Sequence, residues 1–224
     1  MKSSAIMFGA IGTLTETSHL QCRAFNLAFI DAGLDWEWDY DEYFDLLKTP
    51  GGQQRIASYA EAKGDDVDAK TVHGMKVQYF EQLASDEGLE PRAGVVGLID
   101  AAKTANIPVG FATSTGQDTV TLILSGLSPA VVKSDFDYIG DRSKVERSKP
   151  APDIYLDALK NLNVKPSQAI AIEDTPESAK AALAAGITCI AFPGRAAKGR
   201  AFPEGCEMVT RLTPDLLQHL SKVA

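Results

Sequence analysis

The chain has 224 residues, 45% of them hydrophobic and 23% charged, which is the composition of an ordinary globular protein with a sizeable core. Its net charge of −8 argues against nucleic acid and an anionic membrane as partners, although a local pocket can still be positive. We expect no leader peptide and no membrane span. The three cysteines follow no metal-binding spacing, which predicts reduced, buried thiols in a cytoplasmic protein.

The first predicted element is a short apolar run at residues 5–8, which ends in a glycine-punctuated turn and indicates a buried strand. The chain then carries helical periodicity without strand signals as far as residue 86. The predicted helices are 18–32, with Thr17 or Ser18 as its cap, 39–48, 53–63 and 69–85.

From residue 87 onward, helices and apolar strands alternate. The predicted strands are 107–113, 138–140, 169–172 and 188–192, and the predicted helices are 94–105, 119–127, 152–161, 176–185 and 214–223. Such alternation predicts an α/β fold with a doubly wound parallel sheet covered by helices on both faces. We therefore expect a Rossmann-like core at residues 1–15 and 87–224, and an inserted helical cap at 16–86 that serves as a lid.

Three loops that adjoin predicted strands carry side chains suited to phosphate or a metal ion. Thr113 and Ser114 can hold phosphate oxygens, although such clusters are also ordinary loop caps. Lys149 can clamp a phosphate electrostatically, or can be a solvated lysine ahead of a helix. Glu173 and Asp174 offer the hard oxygens that suit Mg²⁺, although Asp174 can instead cap the next helix.

The first strand and its turn resemble the first motif of the haloacid dehalogenase (HAD) superfamily, which ends an apolar strand with Asp-x-Asp-Gly-Thr-Leu. Gly12, Thr13 and Leu14 match this motif, whereas Gly9 and Ile11 stand in place of the two aspartates. The string Lys-Pro-x-Pro-x-x-Tyr and the paired acidic residues also match the later family motifs, in order. By this resemblance, the phosphate ligands are Thr113, Ser114 and Lys149, and the metal ligands are Asp174, Glu173 and Ile11 through its carbonyl.

The resemblance also implies what the two replacements remove. In the family, the first aspartate attacks phosphorus and the second carries the proton, which are roles for a carboxylate nucleophile and a general acid–base. Gly9 and Ile11 can fill neither role, so no catalytic residue is intact. Because the first aspartate is normally a metal ligand as well, we expect Mg²⁺ binding to be weak or absent.

The cap segment narrows the resemblance to CbbY-like proteins, which are sugar-bisphosphate phosphatases related to β-phosphoglucomutase. That likeness implies that Gly51, Gly52 and Arg55 hold the distal phosphate of a phosphorylated sugar, since the planar fork of arginine suits phosphate. We interpret Trp36 and Trp38 as packing residues of the cap rather than as sugar platforms.

Three hypotheses stay open from the sequence. The chain can be a HAD-like pseudoenzyme that binds a phosphorylated sugar without hydrolysing it, an active Mg²⁺-dependent phosphatase or phosphomutase that uses other groups, or a non-catalytic interaction module on the same scaffold.

Overall fold

The computed structural model describes residues 4–47 and 51–220. The chain folds as two compact units: a core unit, which comprises the residues up to Glu16 and those from Leu89 onward, and a helical unit at Thr17–Gly88. Residue 48, where one helix was predicted to end, and residues 221–223 of the last predicted helix lie outside the described residues.

The core unit is built on one six-stranded parallel sheet with the strand order β3-β2-β1-β4-β5-β6, which confirms the expected α/β class. Every residue of the central strand β1 is buried, as parallel strands covered on both faces require. The strands are β1 Ala5–Phe8, β2 Val109–Ala112, β3 Tyr138–Gly140, β4 Ala169–Glu173, β5 Thr188–Ala191 and β6 Glu207–Met208.

Among the described residues, each unit contains four α-helices. Those of the helical unit are α1 Ser18–Asp31, α2 Tyr40–Leu46, α3 Gly52–Lys63 and α4 Ala69–Glu87. Those of the core unit are α5 Val95–Thr104, α6 Gln117–Leu127, α7 Asp153–Leu162 and α8 Pro176–Ala184. Short 3₁₀ turns lie at Lys133–Asp135, Arg142–Lys144, Pro166–Gln168 and Arg195–Ala197. Within residues 4–47 and 51–220, no helix combines the length and apolar character of a membrane span.

Three expectations about the core unit and one about the helical unit were wrong. Strand β6 was missed because its two residues are both exposed and give no apolar signal. Residues Pro214–Leu220 form a 3₁₀ helix rather than an α-helix. Cys206 is only half-buried, whereas Cys22 and Cys189 are buried, and all three thiols are free. Thr17 precedes α1 but makes no side-chain capping bond.

An aromatic cluster fills the interior of the helical unit. Trp36 and Trp38 are 5% and 1% exposed and pack on Phe29 with ring centroids 5.3 and 4.7 Å away. Phe25 lies 4.9 Å from Trp38 and 5.8 Å from Tyr43. This burial confirms that both tryptophans are packing residues, and it places both tryptophans of the chain in one unit.

Candidate functional site

A cavity of about 180 Å³ lies at the carboxyl edge of the sheet, next to the ends of β1, β2 and β4. Strand order reverses on either side of β1, and ligands of open α/β sheets bind at such a switch point. The cavity is lined by Ala10, Ile11, Thr113, Ser114, Thr115, Lys149, Glu173, Asp174, Thr175 and Ser178. A larger groove of about 650 Å³ along α6 and β3 contains none of the predicted ligands, so the chemistry favours the smaller cavity.

The loop after β1 borders this cavity and forms a tight, hydrogen-bonded turn. Thr13 N and Leu14 N both donate to the carbonyl of Ala10, at 3.1 and 2.8 Å. Gly12 has a φ of +83°, and a Cβ there would stand 2.0 Å from Oδ2 of Asp174. Both the backbone conformation and the close approach therefore require glycine at this position.

Arg92 fastens this loop to the end of β5. Its guanidinium donates to the carbonyls of Phe192 and Pro193, at 2.9 and 2.8 Å, and also to the carbonyl of Gly12. The sequence analysis missed this residue, because one arginine outside any motif cannot be told from a solvated surface charge.

The side chain of Lys149 is buried beside the cavity, and its ammonium already has polar partners within the core unit. Its ammonium donates to the carbonyl of Ala112 at 2.9 Å and forms an ion pair with Oε1 of Glu173, with side chains 6% and 1% exposed. The hydroxyl of Tyr155 donates to the same Oε1. Burial and the charge of Glu173 raise the pKa of Tyr155 well above its usual value, so this hydroxyl stays a proton donor. The structure thus excludes a solvated Lys149.

The second carboxylate oxygen of Glu173 lies where a side chain on residue 9 would be. Its Oε2 is buried and makes no hydrogen bond within residues 4–47 and 51–220. A Cβ on Gly9 would stand 2.6 Å from this atom and 2.7 Å from Oγ1 of Thr13. A side chain at position 9 would therefore require these two polar atoms to move.

Asp174 lies beside this pair and does not cap the next helix. Oγ1 of Thr13 donates to its Oδ1 at 3.3 Å, while Thr175 caps α8 by accepting from Ser178 N at 3.3 Å. Burial first, and then the charge of Glu173, raise the pKa of Asp174 to about 7. The capping alternative is excluded, and Asp174 faces the cavity.

Two carboxylates, Glu173 and Asp174, are the side-chain oxygen donors of the predicted magnesium site. Within the described part of the chain they belong to no group of three or more His, Cys, Asp or Glu side chains, although Mg²⁺ in proteins commonly uses one or two carboxylates and several waters. One oxygen of Glu173 is already held by Lys149 and Tyr155. Asp174 and the backbone of Ile11 remain beside the cavity as possible oxygen donors.

The loop after β2 presents hydroxyl groups to the same cavity. Oγ1 of Thr113 lies 3.1 Å from Oγ1 of Thr115 and accepts from Thr115 N at 3.1 Å. Oγ of Ser114 accepts from the backbone N of Lys149 at 3.2 Å, so the loop after β2 is hydrogen-bonded to the loop that carries Lys149. The structure thus brings together the predicted core ligands from loops far apart in sequence.

The predicted cap ligands lie in the helical unit, where their role in substrate binding stays a prediction. Gly51, with a φ of +84°, precedes α3, and Gly52 is its first residue. Arg55 is 6% exposed, and its Nε donates to the carbonyl of Leu46 at 2.9 Å. Its guanidinium lies 5.7 Å from the ring centroid of Phe25.

Two further basic residues of the helical unit, Lys76 and His73, lie within electrostatic range of Arg55. Lys76 is 7% exposed, donates to Oε1 of Gln21 and lies 5.1 Å from the ring centroid of Phe25. Burial and the charge of Arg55 lower its pKa to about 8. Burial, Lys76 and Arg55 likewise lower the pKa of His73, whose Nε2 lies 2.5 Å from where a Cβ on Gly52 would be. Helical periodicity alone gave no signal for this cationic cluster.

The fold and this cavity define a HAD-like α/β protein with a helical insertion after the first strand. A profile of haloacid dehalogenase-like hydrolases matches residues 4–186. Protein CbbY of Cereibacter sphaeroides is 39% identical over 193 residues, which cover 85% of this chain and 84% of that protein. Protein CbbY of Rhodobacter capsulatus is 34% identical over 96% of this chain and 100% of its own length.

A crystal structure of CbbY from Rhodobacter sphaeroides in complex with phosphate superimposes with a TM-score of 0.84, at 34% identity, over 98% of this chain and 99% of that one. A mutant of the same protein in complex with xylulose-(1,5)bisphosphate gives a TM-score of 0.80 at 35% identity, over 93% of this chain and 94% of that one. The chain belongs to the haloacid dehalogenase-like hydrolase family, in its CbbY-like subgroup.

Proposed function

We propose that this protein binds a phosphorylated sugar, such as a sugar bisphosphate, on a CbbY-like phosphatase scaffold whose hydrolytic step is lost or strongly impaired. The substrate class is suggested by the relative from Rhodobacter sphaeroides, which has been crystallised with xylulose-(1,5)bisphosphate and with phosphate.

The observation that carries this proposal is the side-chain arrangement at position 9. Covalent phosphoryl transfer in this family needs a carboxylate there, and Gly9 supplies none. The neighbouring carboxylate, Glu173, borders the cavity but is 0% exposed, and its Oε1 is already paired with Lys149. Loss of a covalent nucleophile costs roughly 10⁶ in kcat in a serine protease, and here Ile11 removes the proton carrier as well.

Phosphate binding is favoured by what the cavity retains. The hydroxyls of Thr113 and Ser114 and the ammonium of Lys149 border it. Relative to the family motif, Gly9 and Ile11 remove two negative charges, which would otherwise repel a phosphate dianion. In the helical unit, Arg55 and Lys76 form a cationic cluster beside His73, and we propose that this cluster binds an anionic group.

Magnesium has a reduced role in this proposal. When bound in a HAD-like site, Mg²⁺ neutralises charge on the phosphoryl group. Because one oxygen of Glu173 is already held by Lys149 and Tyr155, we propose that phosphate is held mainly by hydroxyls, backbone N–H groups and the lysine. Ligand affinity should then change little when EDTA replaces Mg²⁺.

Thermal unfolding with phosphate or xylulose-(1,5)bisphosphate tests binding. A ligand at about 100 times its Kd adds about 2.7 kcal/mol to the free energy of unfolding, which raises Tm. Thr113→Val removes a hydroxyl that borders the cavity and should weaken this shift. Thr121→Val, on an exposed position of α6, is the matched control and should not. Absence of a shift with any phosphorylated sugar would favour the interaction-module hypothesis.

Turnover measurements with Mg²⁺, an aryl phosphate and sugar bisphosphates test the loss of hydrolysis. A kcat of about 1 s⁻¹ or more, the low end of common enzyme rates, would contradict the proposal and favour an active phosphatase that uses other groups. Activity that appears only in the double variant Gly9→Asp/Ile11→Asp would support it, because the scaffold would then lack nothing but the two reacting groups.

A further inference from the structure

Two cysteines of the core unit lie side by side at the edge of the sheet. Strands β5 and β6 pair in parallel, with Ile190 opposite Glu207 and Ala191 opposite Met208. The same register, one residue earlier, sets Cys189 beside Cys206. Both belong to the apolar cluster on that face of the sheet, and each thiol lies within electrostatic range of the other.

The surroundings of the two thiols allow them to be linked. Adjacent strands lie about 4.8 Å apart, within the Cα separation of roughly 4.4–6.8 Å that a disulfide needs. Cys206 directly precedes β6, a two-residue edge strand whose residues are both exposed. Since edge strands this short are held by few bonds, a small shift there can bring Cys206 into bonding geometry.

The two thiols also differ in exposure. Cys189 is 0% exposed, whereas Cys206 is half-buried and is therefore the thiol that a small solute can reach. We propose that Cys189 and Cys206 form a reversible disulfide when the protein meets an oxidant of the peroxide class, with Cys206 as the attacking thiol and Cys189 as the resolving thiol.

The reaction balances with hydrogen peroxide as the oxidant. The thiolate of Cys206 attacks one peroxide oxygen, the O–O bond breaks, and water leaves after taking up the thiol proton, so that Cys206 becomes a sulfenic acid. The sulfur of Cys189 then attacks the sulfenic sulfur, the S–S bond forms, and its proton leaves with the hydroxyl as a second water. Two thiols are oxidised and one peroxide is reduced to two waters.

The burial of the two thiols supports this division of roles. Burial raises the pKa of both thiols, and that of Cys189 more strongly, so Cys206 forms its thiolate more readily. The thiol of Cys22 donates to the carbonyl of Trp38 at 3.3 Å in the helical unit, and it serves as the internal control.

The test is a hydrogen peroxide titration of the full-length protein, followed by alkylation of free thiols and mass spectrometry without reduction. Before alkylation we expect the intact mass to fall by about 2 Da, and after it we expect one cross-linked peptide pair that contains Cys189 and Cys206, with Cys22 alkylated. Dithiothreitol should restore both thiols. Oxidation should also raise Tm by several degrees, because the bridge closes a loop.

Variants separate this bridge from simple oxidation. In Cys189→Ser, and in Cys189→Ala if the serine disturbs the core, Cys206 should persist as a sulfenic acid that dimedone labels, and the Tm shift should vanish. In Cys206→Ser, Cys189 should stay reduced. The inference is overturned if wild-type Cys206 reaches the sulfinic acid while Cys189 remains free, or if neither thiol reacts before Cys22.

Discussion

The core unit and the helical unit each bury a lysine, and they treat its charge differently. Lys149 forms an ion pair with Glu173, and Tyr155 donates to the same carboxylate. Lys76 instead donates to a neutral amide oxygen of Gln21 and lies within electrostatic range of Arg55, which helps to lower its pKa to about 8. One lysine completes a neutral network, whereas the other adds charge to a cationic cluster.

The two lysines differ in their polar partners, which are a carboxylate for Lys149 and a neutral amide for Lys76. A buried ion pair is costly to break, since removing either member leaves the other charge uncompensated. Burial of a cation near another cation destabilises the fold, and binding of an anion would offset that cost. The lowered pKa of Lys76 reflects this cost, and our proposal places an anionic group of the ligand near this lysine.

The largest expected effect is on the core pair. Lys149→Met should lower the free energy of unfolding of the core unit by about 3–5 kcal/mol, because the carboxylate of Glu173 is left buried without its partner. Adding Glu173→Gln should recover much of that loss. Hydrogen exchange of the β4 amides measures both. Lys180→Met, on an exposed position of α8, is the control and should change stability by less than about 0.5 kcal/mol.

For Lys76, the buried lysine of the helical unit, loss of the charge is expected to stabilise the protein rather than destabilise it. The pKa of Lys76 is about 8 in the folded state, against 10.5 when it is unfolded. Below pH 8 the folded and the unfolded state both hold the proton, so the full cost of burying the charge lowers the free energy of unfolding. Between these values only the unfolded state keeps the proton, so the free energy of unfolding should rise with pH, by at most about 3 kcal/mol.

The fluorescence of Trp36 and Trp38 during urea unfolding reports on the helical unit, which contains both tryptophans. Lys76→Met should be more stable than wild type at pH 7, and this difference should shrink towards pH 10. The thiol of Cys22, whose pKa burial raises to about 11, titrates in both proteins. Its contribution therefore cancels when the free energies of unfolding of variant and wild type are subtracted. Lys70→Met, an exposed control, should follow wild type; a flat wild-type profile would contradict the lowered pKa.

A smaller effect is expected at position 9. Gly9→Ala should destabilise the core unit by about 1–3 kcal/mol, because its Cβ would stand 2.6 Å from Oε2 of Glu173. Gly97→Ala is the matched control, since a Cβ on Gly97, within α5, has no atom within 4 Å and should stabilise the helix by about 0.5–1 kcal/mol. Equal effects of the two changes on thermal unfolding would show that Glu173 moves aside freely.

The smallest effects test whether the two units respond separately. Asp39 caps α2 by accepting from Glu42 N at 2.8 Å, and Thr175 caps α8. Each alanine substitution should cost about 1 kcal/mol. Asp39→Ala should shift the tryptophan transition, whereas Thr175→Ala should shift the exchange of the core amides alone. If either change moved both signals equally, the two units would unfold as one.

Much of the fold followed from short patterns. The apolar run that became β1 and the alternation after residue 87 indicated the parallel sheet, because strands buried on both faces contain little else. Parallel strands end at one edge, so Thr113, Lys149 and Asp174 were expected to meet there, and they line one cavity. Strand β6 gave no such signal because its residues are exposed.

The partners of charged side chains could not be foreseen in the same way. Lys149 was expected at the phosphate, yet its ion-pair partner is Glu173, which the family motif assigns to the metal. Arg92 and Lys76 belong to no motif, and their burial depends on residues 100 and 55 positions away, as Arg92 with Phe192 and Lys76 with Gln21. Periodicity describes one element at a time and contains no information about such pairs.

Gly9 illustrates both what the local sequence determined and what only the tertiary structure decided. Local sequence was enough to establish the strand, the turn and the missing carboxylate, because these depend on neighbouring residues and on side-chain chemistry. What fills the space left by that carboxylate depends on Glu173, whose Oε2 reaches it from another strand. That placement is set by the packing of β1 against β4 and by the pull of Lys149 on the other oxygen, both of which exist only in the folded chain.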